Sequence, residues 1–503
     1  MIRFAINTAI AVFVAGSCAF IGCSVGPKYR APDQPRPTAQ NYKESTVNFQ
    51  NTEGWKVANP QDELLRGHWW EIFNDEDLNA LEAQLNINNQ TIKQYFEAYM
   101  EARALVAQAH SQYWPTVTTN PSYSQSRSSA SLFHSSQANV GLTSTLYSLP
   151  AEVSWIPDLF GRIRNTVREY QSGAQVSAAD LELERLTEQA SLASYYYEIR
   201  GQDALQKILN DTVKADQEAL KLTELLYKTG VDDYISVVEA RATLEATQAA
   251  AIELGVARAQ YEHAIAMLLG KVASDFSIPV KPMLTSPPPI PVGVPAELLE
   301  RRPDIAKAER TLAEDNAIIG VGYAAYFPTV TLSAQGGFES STVNNWFTWP
   351  SRFFAVGPSA AETVYNGGLY RAQIHQYTAT YNADLATYRN TVLTAFQQVE
   401  DYLAAVRLGS QQVIHQQEAV KSAQEFLKLE MVRYRTGVDP YIDVVTAQTT
   451  LLGDQQTAAT AQISEMTSAV SLIEALGGGW QLSQLPTAKQ VSKTPVKDYK
   501  LQH

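Results

Sequence analysis

The sequence predicts a mainly α-helical chain with a smaller share of β-strand, assembled by tandem duplication of one helix–strand–hairpin unit. Three observations carry this. Residues 225–240, LLYKTGVDDYISVVEA, return at 432–447 as VRYRTGVDPYIDVVTA, a gapless offset of 207. Each half holds a long proline-free stretch, Asp158 to Ile278 and Ser359 to Asp439. Val330, Leu332, Ala334, Gly336 and Phe338 alternate with Thr329, Thr331, Ser333, Gln335 and Gly337, the period of a strand with one apolar face.

Charge and cysteine content narrow the function. The 503 residues carry 52 acidic against 39 basic side chains, a net charge of −13, and only two cysteines. An acidic balance argues against a nucleic-acid partner, which needs a basic stripe. Two cysteines exclude a disulfide framework and a Cys-based structural zinc site. Both lie at the N-terminus, Cys18 and Cys23.

Residues 1–22 read as a secretory signal peptide, with Arg3 ahead of an apolar run from Phe4 to Phe20. The run is also just long enough for a membrane anchor. Phe20-Ile21-Gly22-Cys23 resembles a bacterial lipobox, with Phe where Leu is usual. That resemblance implies cleavage before Cys23, diacylglycerol on its sulfur and an acyl chain on the new amine; Ser24 after it favours the outer membrane. Cleavage removes one basic residue and no acid, so the mature chain is one charge more negative. Beyond this segment there is no run of 18 apolar residues, so any further crossing of a membrane must use strands in a closed barrel.

Residues 163–229, rich in Ala, Leu, Glu and Gln, predict one helix about 100 Å long, which needs a coiled-coil partner. Heptad positions fall at Val213, Leu220 and Tyr227, and at Val420, Leu427 and Tyr434. After each TGVD turn a seam is expected at Ile235, Val238, Ala242, Glu245, Ala249, Ile252, Val256 and Ala259. In the second copy it runs through Ile442, Val445, Thr449, Leu452, Gln456, Ala459, Ile463, Met466 and Val470. Gly230 and Gly437 supply left-handed helix stops. Asp232 and Asp439 are expected to cap the returning helices, with Pro440 at the first helical position. Each half therefore folds back as a long helical hairpin.

Between the halves, residues 279–303 contain eight prolines and form a stiff, extended linker. Strands are expected at Thr116 to Ser126, Val140 to Trp155, 329–338 and Phe353 to Thr363. The resulting division is 1–22 signal; 23–75 lipidated N-terminal segment; 76–278 first repeat; 279–303 linker; 304–480 second repeat; 481–503 tail. Such strands also fit an ordinary half-buried sheet. Four strands cannot close a membrane barrel, whose smallest members have about eight. Either the sheet is soluble or several chains share one barrel. Side chains fill an eight-stranded barrel, so a conduit favours three or more chains.

The motif order, from the lipobox through CSVGPKYRAPD, SWIPDLFGRIR, PPPIPVGVPAELLERRPDIAKAE and YRTGVDPYIDVVTAQ, resembles the TolC-like outer-membrane factors, the efflux lipoproteins of tripartite pumps. LLERRPDI at 298–305 and the doubled TGV turn are its most specific parts. The resemblance covers Cys23 to about Trp480. It implies a homotrimer with a 12-stranded transmembrane β-barrel, a long periplasmic α-helical barrel and an equatorial domain. The implied role is a passive exit duct for small toxic compounds in the outer membrane. An inner-membrane transporter, often of the resistance-nodulation-division type, drives it through a periplasmic adaptor. The alternatives are a type I protein-secretion duct, or a lipid-anchored coiled-coil scaffold with no pore.

The same resemblance places the turns at the periplasmic tip. Asp439, Tyr441, Ile442 and Asp443 match its closing gate. Thr446 and Thr449 stand where many relatives carry Asp and Arg, so the resemblance leaves open whether an Asp–Arg lock is kept; Glu239 and Arg241 of the first copy are in the neighbouring positions. Thr229, Gly230 and Val231, with Arg435, Thr436, Gly437 and Val438, are the expected adaptor contacts. The plainer readings are helix capping for Asp232 and Asp439, and local turn geometry for the tips. No enzyme motif is present: none of the seven histidines forms HExxH or a metal-spaced pair, and His263 falls on the seam as a core residue. No metal or cofactor is expected beyond the lipid on Cys23.

Overall fold

The computed structural model describes residues 25–33, 42–44, 67–129, 143–283, 285–290 and 298–493. The expected signal segment at 1–22, with Cys18, and the expected lipidation residue Cys23 with Ser24 lie outside them.

The first half runs α1 (Glu76–Asn88), α2 (Gln90–Ser111), β1 (Thr116–Thr119), β2 (Ser122–Arg127), β3 (Thr143–Trp155), α3 (Arg162–Lys228) and α4 (Tyr234–Leu268). The second runs α5 (Pro303–Ala324), β4 (Thr329–Ser340), β5 (Arg352–Ala361), α6 (Leu369–Arg435) and α7 (Tyr441–Ala475). Both α3 and α6 have 67 residues, and both α4 and α7 have 35. A 67-residue helix is about 100 Å long. No helix among the described residues is long and apolar enough to cross a membrane.

The expected strand at 116–126 is interrupted. β1 and β2 both pair with β3 in one unbroken register, Thr116↔Ser154 through Arg127↔Thr143. The ladder lapses around Pro121 and Pro150, neither of which has an N–H to donate. The chain therefore makes four strand passes, ordered β1/β2, β3, β4, β5 and all antiparallel. Pairing in register sorts the sheet by face. One face carries Val117, Val153, Ala334 and Val356 in one row, and Trp155, Leu332 and Pro358 in another. The opposite face carries Thr118, Glu152, Gln335 and Ala355, then Ser154, Ser333 and Gly357. Aromatic residues gather at both ends. Tyr123, Tyr147, Trp346 and Phe347 form a chain of ring contacts at one, and the pairs Phe160–Phe327 and Tyr326–Tyr370 lie at the other.

The helices pack as two hairpins, α3 against α4 and α6 against α7, with α5 bridging α3 and α6. The main core joins Trp69 and Trp70 to Leu78, Leu85, Leu192, Tyr196 and Ile265. Asp158 of the DLFG segment fastens the strand-to-helix corner: its carboxylate accepts from the backbone N–H of Ile163 and Arg164 and from Arg164 Nε at 3.0–3.1 Å. The RRPD segment has an equally concrete role. Arg302 makes two bonds to Asp304 (2.9 and 2.7 Å), one to Gln398 of α6 (2.9 Å) and one to the Ala475 carbonyl at the end of α7 (3.0 Å). One guanidinium thus locks the start of α5 to the hairpin that follows it.

Two seam expectations need correction. Toward the tip of the first hairpin the buried positions include Asp216, Ala219 and Thr223 on α3 and Ser236, Val237, Ala240, Leu244 and Thr247 on α4. Ile235, Val238, Ile252 and Val256, assigned to the seam, are 67, 49, 76 and 58% exposed. His263 is likewise exposed, not core. In the second hairpin Ala459, Ile463, Met466 and Val470 are buried as expected, whereas Ile442 and Thr449 are exposed. Apolar spacing marks every face that needs covering, and a single chain does not cover all of them.

Asp315 on α5 is buried, has one carboxylate oxygen with no hydrogen-bond partner, and faces Asp384 of α6. Burial, then the neighbouring Asp384 and Glu314 carboxyls, push its pKa up to about 7. A raised folded-state pKa contributes stability that is present below the ordinary Asp range and is lost as pH rises through about 7. Unfolding temperature is therefore expected to fall between pH 5 and pH 8, and Asp315→Asn to flatten that fall; an unchanged slope in the variant would contradict the assignment.

Candidate functional site

The two hairpin turns share one backbone solution. At the end of α3, Gly230 has φ +74°, its N–H bonds the Tyr227 carbonyl, and Val231 N–H bonds Leu226 O at 2.9 Å. At the end of α6, Gly437 has φ +73°, with matching bonds to Tyr434 and Arg433. A Cβ at either glycine would meet nothing within 4 Å, so the requirement is the left-handed backbone and not space. Thr229 and Thr436 fold their hydroxyls back onto the last carbonyls of their helices at 2.9–3.1 Å. Thr229, Gly230, Val231, Arg435, Thr436, Gly437 and Val438 are all exposed, Val231 at 68% and Val438 at 65%.

Beyond the turns the expected caps are displaced. The N-cap of α4 is Asp233, without a side-chain cap bond. Asp232 instead accepts from the Ser236 hydroxyl at 2.9 Å and from the Tyr434 hydroxyl of the other hairpin at 2.6 Å. The N-cap of α7 is Pro440, which was expected one position later, inside the helix. Asp439 does not cap. Arg433 holds it through Nε and through Nη2 at 2.8 Å. A charge-assisted two-point bond to guanidinium outcompetes a single bond to a backbone N–H.

Of the expected gate residues, the structure unites two. One oxygen each of Asp439, Asp443 and Glu430 lies within 4.8 Å of the others. Arg433 holds the Asp439 carboxyl below the usual range. Glu430 moves the other way, raised by desolvation and then by its contact with Asp439. Ile442 is half-exposed beside this cluster's helix turn. Tyr441 is placed elsewhere: it is buried in a small core with Ala219, Ala240, Tyr434 and Val444 that joins the two hairpins. Its ring lies 5.2 Å from that of Tyr434. Burial and then the Asp232 bond push the Tyr434 hydroxyl up, so it stays a donor.

Thr446 and Thr449 donate to Ile442 O and Val445 O of their own helix at 2.9 Å. Arg241 pairs loosely with Glu224 at 3.7 Å, and that pair stays within the first hairpin. Sequence reasoning missed Glu430, Arg433 and Tyr434 as a polar set. The available signal was their spacing in the last two turns of α6, Glu430 and Arg433 three apart on the side that meets Asp439.

These two hairpins, with a four-pass sheet beyond them, have known counterparts. The family model described as "Outer membrane efflux protein" matches residues 80–271 and 294–478, one segment in each half. The antibiotic efflux pump outer membrane protein ArpC of Pseudomonas putida is 28% identical over 95% of this chain and 96% of its own. The solvent efflux pump outer membrane protein SrpC of Pseudomonas putida is 30% identical over 92% and 97%. The solved outer-membrane channel OprN superposes with a TM-score of 0.81 at 28% identity, covering 91% of this chain and 100% of its own. On both sequence and structure, the chain belongs to the outer membrane efflux protein family.

Proposed function

We propose that this chain is the outer-membrane exit duct of a tripartite efflux system, working as a homotrimer anchored by lipid on Cys23. The observation that carries the oligomer is the sheet: four passes, with one apolar face, aromatic residues at both ends, and β1/β2 and β5 left as edges. β3 and β4 have 13 and 12 residues, above the roughly nine to eleven that span a bilayer when tilted. Open edges are not tolerated in lipid, so copies of the chain must close the barrel. Three copies supply twelve passes and leave a lumen, whereas the eight from two copies would be filled by side chains.

The exposed apolar residues of the hairpins support the same reading. Ile235, Val238, Ile252 and Val256 on α4 and Leu429 and Val432 on α6 face outward from one protomer. Neighbouring copies in a helical barrel would cover them. At the tips, Asp439, Asp443 and Ile442 act as the periplasmic gate, with Glu430 and Arg433 added, and Tyr441 as the buried pivot behind them. The exposed turns at Thr229 to Val231 and Arg435 to Val438 receive a periplasmic adaptor, which couples the duct to an inner-membrane transporter of the resistance-nodulation-division type. Small toxic compounds pass through without chemistry.

Native mass measurement of the detergent-extracted protein tests both covalent and oligomeric parts. Three copies are expected, each beginning at Cys23 and carrying diacylglycerol and acyl mass. A monomer, or a mature chain with a free Cys23 thiol, would overturn the respective claim.

A further inference from the structure

We infer that Glu152 and Glu339 make the strand-lined part of the channel cation-selective. The inference rests on the reading above, in which copies of the sheet close into a membrane barrel. Lipid requires the apolar face outward, so the opposite face lines the interior. Register fixes what that face carries. Glu152 on β3 stands opposite Gln335 on β4 and Thr118 on β1. Glu339 on β4 stands opposite Ser148 on β3, whose hydroxyl donates to its carboxylate at 3.1 Å. Both glutamates are exposed in the single protomer.

The positive side chains of the sheet are on the other face. Arg127 pairs in register with Thr143, in line with Tyr123 and Tyr147, and Arg352 pairs with Phe338. Both therefore sit on the apolar face, at strand ends. Among the described strand residues the interior face holds Glu152 and Glu339 and no Lys or Arg. The two carboxylates stand in different tiers, because Gln335 and Glu339 are four residues apart on β4, about 13 Å along the strand. Repetition by symmetry turns each tier into a ring. Rings of Asp or Glu raise the local concentration of cations and exclude anions. The tip carboxylates belong to a separate constriction at the far end of the long helices, so the two contributions are separable by mutation.

The test uses the full-length protein in planar lipid bilayers under a KCl gradient, reading the reversal potential. The wild-type channel is expected to pass K⁺ in preference to Cl⁻. Combining Glu152→Gln and Glu339→Gln is expected to lower the K⁺/Cl⁻ permeability ratio by about twofold or more. Glu101→Gln, on the exposed side of α2, should leave it unchanged. Heat-modifiable gel mobility verifies that each variant forms its barrel. A permeability ratio unaltered by the double substitution, or an anion preference in the wild type, would overturn the inference while leaving the channel intact. Folded protein that conducts in no form would remove the channel reading, and this inference with it.

Discussion

Tyr434→Phe, the loss of one hydroxyl, is expected to raise the resting conductance of the channel about tenfold. The Tyr434 hydroxyl donates to Asp232 at 2.6 Å and so ties the second hairpin's tip to the first. Around it sit Tyr441, Ala219, Ala240 and Val444, a small core against which Leu220, Leu226, Leu427 and Met431 also pack. If the second hairpin swings away on opening, that bond exists only in the closed state. A hydrogen bond to a charged group contributes about 1.5 kcal/mol or more, and such a difference between two states is roughly a factor of ten in their ratio. Tyr227, the repeat equivalent, is 47% exposed, so Tyr227→Phe is expected to change nothing. Equal conductance in wild type and Tyr434→Phe would show that the tip does not open along this contact.

The second large effect is on stability. Arg302→Ala is expected to cost about 3 kcal/mol, seen as a lower unfolding temperature and a reduced yield of folded oligomer. The Arg302 guanidinium is 11% exposed and Asp304 21%, so solvent screens the pair only slightly. Truncation leaves the Asp304 carboxylate, Gln398 and the Ala475 carbonyl without their shared donor. Arg302→Lys keeps the charge but not the fork that reaches three partners, and it should recover only part of the loss. A change smaller than about 1 kcal/mol in the Ala variant would place the stability of this junction elsewhere.

The long elements were legible because their lengths are set by local signals. Gly230 and Gly437 end α3 and α6, and the 207-residue offset repeats both hairpins at the same size. The strands were legible from period-two alternation, since one face must be apolar. Their one interruption depends on Pro121 and Pro150 falling at adjacent rungs of the same ladder, a juxtaposition fixed only by tertiary register.

The seam of the first hairpin was misread for an energetic reason. Ile235, Val238, Ile252 and Val256 form an apolar stripe as regular as a core stripe, yet they face away from α3. Spacing reports that a stripe is to be buried, not by which chain. The caps were misread because Asp439 had a competitor. A carboxylate six residues beyond Arg433 caps a helix when alone and binds the guanidinium when the Gly437 turn brings the two together. The carboxylate cluster at the tip was therefore half legible: Asp439 and Asp443 stood out in the sequence, and Glu430, Arg433 and Tyr434 joined them only once the turn was folded.

The most direct measurement of the central claim is single-channel recording of the purified protein in planar bilayers. The account predicts discrete, small conductance steps at rest and larger or longer openings in Tyr434→Phe. Well-folded, heat-modifiable oligomer that shows no discrete conductance as wild type or as Tyr434→Phe would contradict it.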